Sequence, residues 1–147
     1  PQNIYEKPAT AYVAGFIGSP EMNFFTGQIA NNSEAIRLSD GAELSSGKNK
    51  RSAFDGAEVI VGVRPEKFEF CEEHQAHFSR RVIVVETLGS ETLIHCGPAA
   101  GEAEDAAIVV KVAGNFQAKE NQQLFLRIAP NGTHLFDRKD QKRLPGT

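Results

Sequence analysis

The sequence predicts an all-β protein with one leading helix, built as a small barrel or Greek-key sandwich, and three observations carry that expectation. From Pro20 onward the chain is a series of short runs rich in Val, Ile, Phe and Thr, separated by clusters of Gly, Asn, Asp or Ser. These runs follow one another closely, and the crossover helices of about 10–15 residues that a βαβ sheet needs are missing. Only residues 3–17 place apolar side chains (Ile4, Tyr5, Tyr12, Val13, Phe16, Ile17) at helical spacing, with Pro8 tolerable in a first turn and Gly18, Ser19 and Pro20 as the stop.

Strands are expected near 23–30, 34–38, 57–64, 66–70, 80–87, 91–96, 107–112, 124–129 and 133–136. In RRVIVVETLG, alternation sends Val82, Val84 and Glu86 to one face and Ile83, Val85 and Thr87 to the other, which describes a central strand covered on both faces. The following LGSET turns the chain, because Gly89 permits a positive φ, and TLIHC then pairs back as a hairpin. Residues 40–55 are polar and Gly/Ser-rich and read as a mobile connection between two groups of strands; GPAAGEAED, 97–105, reads as a second loop.

At 147 residues the chain suits one compact domain, and 40% hydrophobic with 24% charged residues describes a soluble globular protein. A net charge of −3 gives no basic field for nucleic acid or anionic lipid. No run approaches the roughly 18 apolar residues of a membrane span. The start at Pro1 has no signal-peptide character and points to a piece cut from a longer protein. Two cysteines, Cys71 and Cys96, are too few for a disulfide scaffold, which favours a reducing, cytoplasmic setting.

Few residues invite catalysis. CEEHQAH gathers Cys71, Glu72, Glu73, His74 and His77, all zinc-ligand types, but a structural zinc site usually draws on two separated pairs, so a solvated loop is the preferred reading and no metal is expected. His95 and Cys96 are strand neighbours and face oppositely. No serine lies in a G-x-S-x-G elbow, and His74, His77, His95 and His134 have no recognisable acid and nucleophile about them. Neither G-x-x-x-x-G-K-[ST] nor G-x-G-x-x-G occurs, so catalytic and cofactor-binding residues are expected to be absent and the chain to hydrolyse no ATP. The basic run Arg138–Arg143 reads as a solvated tail after the last strand.

Four segments in order carry a resemblance: IYEKPATAYVAGFIGSPEMNFF, GVRPEKF (62–68), VVETLGSET (84–92) and THLFDRKDQKRL (133–144). Together they resemble the region that follows the nucleotide-binding domain in ATPase subunits of bacterial carbohydrate importers, the maltose and glycerol-3-phosphate group of ABC transporters. The resemblance covers essentially the whole chain. It implies a connecting helix over 1–20 and a regulatory domain of the transport-associated OB (TOBE) type over 21–147, with ATP and Mg belonging to an ATPase domain outside this chain. It implies a mechanical and regulatory role on the inner face of the bacterial inner membrane. The partners would be a second copy, the permease through the parent ATPase, and in some members a regulatory protein.

On the matching positions, Arg64 with Pro65 and Glu66 ends a strand at a fixed bend, where an Arg–Glu contact is favoured over a partner contact. Gly89, Glu91 and Thr92 mark an exposed hairpin tip. Phe24 and Phe25 must face oppositely, one to the core and one free to anchor an interface. Leu88, Leu135 and Phe136 complete the candidate dimer interface, each equally readable as core. The Ser-Ala-Arg-Asn type sequence of related molybdate-binding barrels is absent, which makes small-ligand sensing a lesser alternative. An OB module for single-stranded nucleic acid is another: it needs stacking aromatics interleaved with Lys and Arg, whereas Trp is absent and both Tyr fall in the leading helix.

Overall fold

The computed structural model describes residues 22–30, 35–38, 42–45, 56–98 and 107–144. Within them run ten strands, β1 (Asn23–Ala30), β2 (Ala35–Leu38), β3 (Glu43–Ser45), β4 (Glu58–Val63), β5 (Phe68–Phe70), β6 (Phe78–Leu88), β7 (Glu91–Pro98), β8 (Ile108–Ala113), β9 (Gln123–Ile128) and β10 (Thr133–Asp137), with short 3₁₀ turns at Pro65–Lys67 and Glu73–Gln75. The all-β expectation holds, and each of the nine strands read from the sequence has its counterpart. The leading helix at 3–17 lies outside the described residues, as does most of the GPAAGEAED loop, whose Gly97 and Pro98 finish β7.

The chain forms two compact units, one from Pro1–Val63 with Thr133–Thr147 and the other from Arg64–Gly132. In the first, an antiparallel sheet has the order β10-β4-β1-β2-β3. Period-two alternation fixes its register: Phe25 opposes Val61, Ile29 opposes Ile36 and Leu135 opposes Val61 from the other side, all buried. The opposite face carries Gln28 between Glu58 and Arg37, with Glu43 beyond. Burying a side chain such as Leu135 contributes about 1.5–3 kcal/mol.

β3 corrects the reading of 40–55 as a connection alone. Leu44 is the one large apolar residue there with polar neighbours on both sides, and it is buried opposite Ile36, which is enough to add a short edge strand. The run Arg138–Arg143 is also more than a solvated tail. Asp137 Oδ1 accepts the backbone N–H of Lys139 and Asp140, Gln141 takes a φ of 60°, and the chain returns so that Arg143 bridges to Phe136 and Leu144 N–H donates to Leu135. Arg143 then lies with its guanidinium 5.4 Å from the Phe136 ring centroid and donates to His134 Nδ1 at 2.7 Å.

In the second unit the order is β5-β9-β6-β7-β8, all pairs antiparallel. Phe68, Phe78, Val82, Leu93, Ile94, Cys96, Ile108, Val110, Leu124 and Leu126 are its buried apolar side chains among the described residues, and Phe68 meets Phe78 edge to face at 6.0 Å. β6 is central, as expected, yet it is not covered on both faces. A bulge between Val82 and Val84 breaks the alternation, and Ile83 and Val84 are each 53% exposed, Leu88 48% and Val85 36%.

Candidate interaction surface

The β6–β7 hairpin is the most organised exposed feature of the second unit. Leu88 pairs with Glu91 across a two-residue turn, and Gly89 takes a φ of 64° while Ser90 does not, the pattern of a type II′ turn whose twist matches the strands. The end of β8 is tied to this turn. Gly114 N–H donates to Ser90 O at 2.8 Å, and the Thr92 hydroxyl donates to Gly114 O at 3.3 Å. On the sheet face Glu86 meets His95 at 3.3 Å and Lys111 meets Glu91 at 3.4 Å, surface pairs of the kind worth under about 1 kcal/mol.

Ile83 lies across Gly97, where an added Cβ would come within 2.5 Å of its Cδ1. A groove of about 730 Å³ opens beside Val85, lined by Val85, Phe116, Gln117, Ala118, Lys119 and Gln122. Phe116 is held by a parallel stack on Phe70, with centroids 4.9 Å apart and planes at 11°.

Against this geometry the nine candidate interface residues divide. Leu88, Gly89 and Glu91 sit together, exposed, at the hairpin tip; Glu66 is exposed in its 3₁₀ turn; Phe24 is exposed on β1 while Phe25 is buried, as alternation requires. Four are corrected: Arg64 and Thr92 are buried, and Leu135 and Phe136 are fully buried. Thr92 turns inward because it shares a strand face with Ile94 and Cys96. Leu135 packs in the sheet core, and Phe136 joins Met22 and Ile60 on the other side of the same sheet, so β10 offers neither as an anchor. The sequence reading missed Ile83, Val84 and Val85, because a bulge leaves no mark in the hydrophobic pattern.

The CEEHQAH segment makes structural contacts. Glu72 and Gln75 form a reciprocal capping box around the Glu73–Gln75 turn, and Cys71 N–H donates to Phe125 O. Among the described residues no group of three or more His, Cys, Asp or Glu is placed to hold a metal ion. Both cysteines are free thiols; burial pushes Cys71 up against the opposing pull of Arg127, and pushes Cys96 up to about 11, so Cys96 stays protonated and inert at neutral pH. His95 and Cys96 do face oppositely, one toward Glu86 and one into the core.

His77 is half-buried, and its Nδ1 accepts the N–H of Ile128 at 3.2 Å, which requires the neutral ring. Burial, helped by the Arg127 charge, lowers its pKa below the usual 6.5. Between 6.5 and that lowered value the unfolded chain takes up a proton that the folded chain refuses, so this residue contributes a loss of stability as pH falls through the window. Urea midpoints at pH 7.5 and 5.5 are expected to differ more for the native chain than for His77→Gln. Equal differences in the two proteins would remove His77 from the account.

Comparison with known proteins fits this architecture. The family model described as the MalK OB fold domain matches residues 18–68, and that of the TOBE domain matches residues 61–136. The sulfoquinovosyl glycerol transport ATP-binding protein SmoE of Agrobacterium fabrum is 31% identical over 147 residues, 98% of this chain and 39% of that protein. The sn-glycerol-3-phosphate import ATP-binding protein UgpC of Escherichia coli K12 is 32% identical over 144 residues, again 98% of this chain and 39% of that protein. The chain thus spans about two-fifths of the length of these relatives. Among solved structures, the cytoplasmic molybdate-binding protein ModG superposes with a TM-score of 0.58 at 15% identity, covering 77% of this chain and 94% of that one, a likeness of fold alone. With one family model matching residues 18–68 and the other, over residues 61–136, more than half of the chain, this protein belongs to the TOBE domain family, with an OB-type fold of the MalK kind.

Proposed function

We propose that the chain is the C-terminal regulatory part of the ATP-binding subunit of a carbohydrate or glycerol-phosphate importer, and that it helps hold two such subunits together while their ATPase halves open and close. The observation that carries this reading is the match to SmoE and UgpC over 98% of the chain, in both cases to a minority portion of a longer ATP-binding protein. ATP and Mg would be bound and hydrolysed by the remainder of the subunit, which would also meet the permease at the cytoplasmic face of the membrane. The physical rationale is effective concentration: two ATPase halves joined only through bound nucleotide separate after hydrolysis, whereas a lasting second contact keeps them near one another. Exposed residues of each unit taken by itself, Phe24 in the first and the hairpin tip of Leu88, Gly89 and Glu91 or Glu66 in the second, are the candidates for that contact or for a regulatory protein.

The test is a chimera in which this chain replaces the corresponding stretch of the E. coli UgpC protein. Uptake of sn-glycerol-3-phosphate is expected to return in cells lacking UgpC, and the purified chimera is expected to sediment as a dimer without nucleotide. A chimera that is folded and hydrolyses ATP, yet restores no uptake, would count against the importer role. One that restores uptake but stays monomeric without nucleotide would count against the holding role.

A further inference from the structure

We propose that the free edge of β6 over Ile83–Leu88 binds a short extended peptide segment of a partner protein, one with alternating apolar side chains and a carboxylate, taken up as an added strand. The inference does not rest on the importer reading, and the two surfaces share only Leu88, where β6 ends at the hairpin tip. β9 pairs with β6 only from Phe78 to Arg81, and the last contacts on that side are Val82 N–H to Gln122 O at 2.9 Å and Asn121 N–H to Val82 O at 2.8 Å. Asn121, at a φ of 67°, then carries the chain away. Beyond that point no strand among the described residues lies along this side of β6, while β7 stays paired with its other side as far as Glu91.

An open strand edge offers a row of donors and acceptors, and proteins usually blunt it with Lys, Pro or inward charges. Here the stretch carries Ile83, Val84, Val85 and Leu88, all exposed, and its carboxylate, Glu86, is already engaged by His95. The groove beside Val85 adds a receptacle of about 730 Å³ against that edge, with Phe116 braced by Phe70. Its lining holds one charge, the Lys119 ammonium, and no carboxylate, which selects an acidic residue in the incoming segment. Main-chain pairing then supplies affinity, and the apolar side chains with Lys119 supply selectivity.

The dimensions favour a linear segment over a second copy. At about 3.3 Å per residue, Ile83–Leu88 offers a ladder of about 20 Å. A ladder of that length covers well under the roughly 1,200 Å² that a stable pairing of two folded chains needs, but it is a full seat for a short peptide.

The test uses the whole chain and a labelled synthetic peptide of alternating valine and threonine with one central aspartate. Saturable binding is expected, with NMR amide shifts confined to Ile83–Leu88 and Phe116–Gln122. N-methylation of alternate peptide amides is expected to weaken binding at least about tenfold, because it removes the ladder. Lys119→Glu, on an exposed loop and harmless to folding, is expected to weaken the aspartate peptide by about tenfold and to favour its lysine counterpart. Absence of saturable binding, shifts elsewhere in the chain, or indifference to N-methylation would overturn the proposal. So would a dimer that the peptide cannot displace and that Val85→Lys dissociates at unchanged melting temperature, since the edge would then belong to a second copy.

Discussion

Replacing Phe136 with alanine is expected to cost about 3–5 kcal/mol, because its ring is fully buried against Met22 and Ile60 and the flanking backbone is held on both sides. With a urea slope of about 1–3 kcal/mol/M, the midpoint should fall by at least about 1 M. The loss has two parts, the transfer of a large ring and the cavity it leaves, and the Arg143 guanidinium would also lose the face on which it rests. Phe24→Ala, an exposed ring on the same face of that sheet, is the internal control and should cost far less. Equal losses in the two variants would mean that Phe136 is not the core residue described.

Gly114→Val should be comparably severe for a different reason. A Cβ at Gly114 would stand 2.8 Å from Gly89 O, 2.9 Å from Ser90 C and 2.9 Å from Ser90 O, all backbone atoms of the hairpin turn, so no side chain can swing aside to admit it. The end of β8 must therefore leave the turn, breaking the bond from Gly114 N–H to Ser90 and the one from Thr92 to Gly114, at a combined cost of about 3 kcal/mol or more. Amide exchange at Ser90, Glu91 and Thr92 should accelerate with the fall in melting temperature. Gly56→Ala separates steric crowding from backbone strain: with a φ of 84° and open space around its Cβ position, it should cost only about 1–2 kcal/mol. A Gly114→Val protein no less stable than Gly56→Ala would contradict the close approach.

These two positions also show what the sequence makes legible. Short apolar runs rich in Val, Ile, Phe and Thr between turn residues located β1, β4 and β6–β9 because strand preference is largely a local property, and Gly89 announced its turn because a positive φ favours glycine. Phe136 and Leu135 were as consistent with an interface as with a core, since both are apolar neighbours on one strand and only the return of Arg143 and Leu144 decides that both faces are covered. β3 was hidden because a single Leu44 in a polar stretch carries no period. The exposure of Ile83, Val84 and Val85 was unreadable in principle: it depends on a bulge against β7, about a dozen residues on, and on where β9 stops, some forty residues away in sequence, and both are facts about partner strands.

The first unit has a consequence for the order of events during synthesis. β4 is covered on one side by β1, which is already made, and on the other by β10, which emerges only after all of Arg64–Gly132. During that interval an apolar strand, EVIVGV, waits with an unsatisfied flank, while the intervening chain has every strand it needs to finish its own sheet. Early completion of that sheet brings the two distant partners closer along the chain and so reduces the entropy lost when they join. A ribosome that stops just after Gly132 would release a chain whose second sheet is complete and whose first is a target for proteases and aggregation. The stretch 133–144 thus acts as the closing clasp of a sheet begun more than a hundred residues earlier.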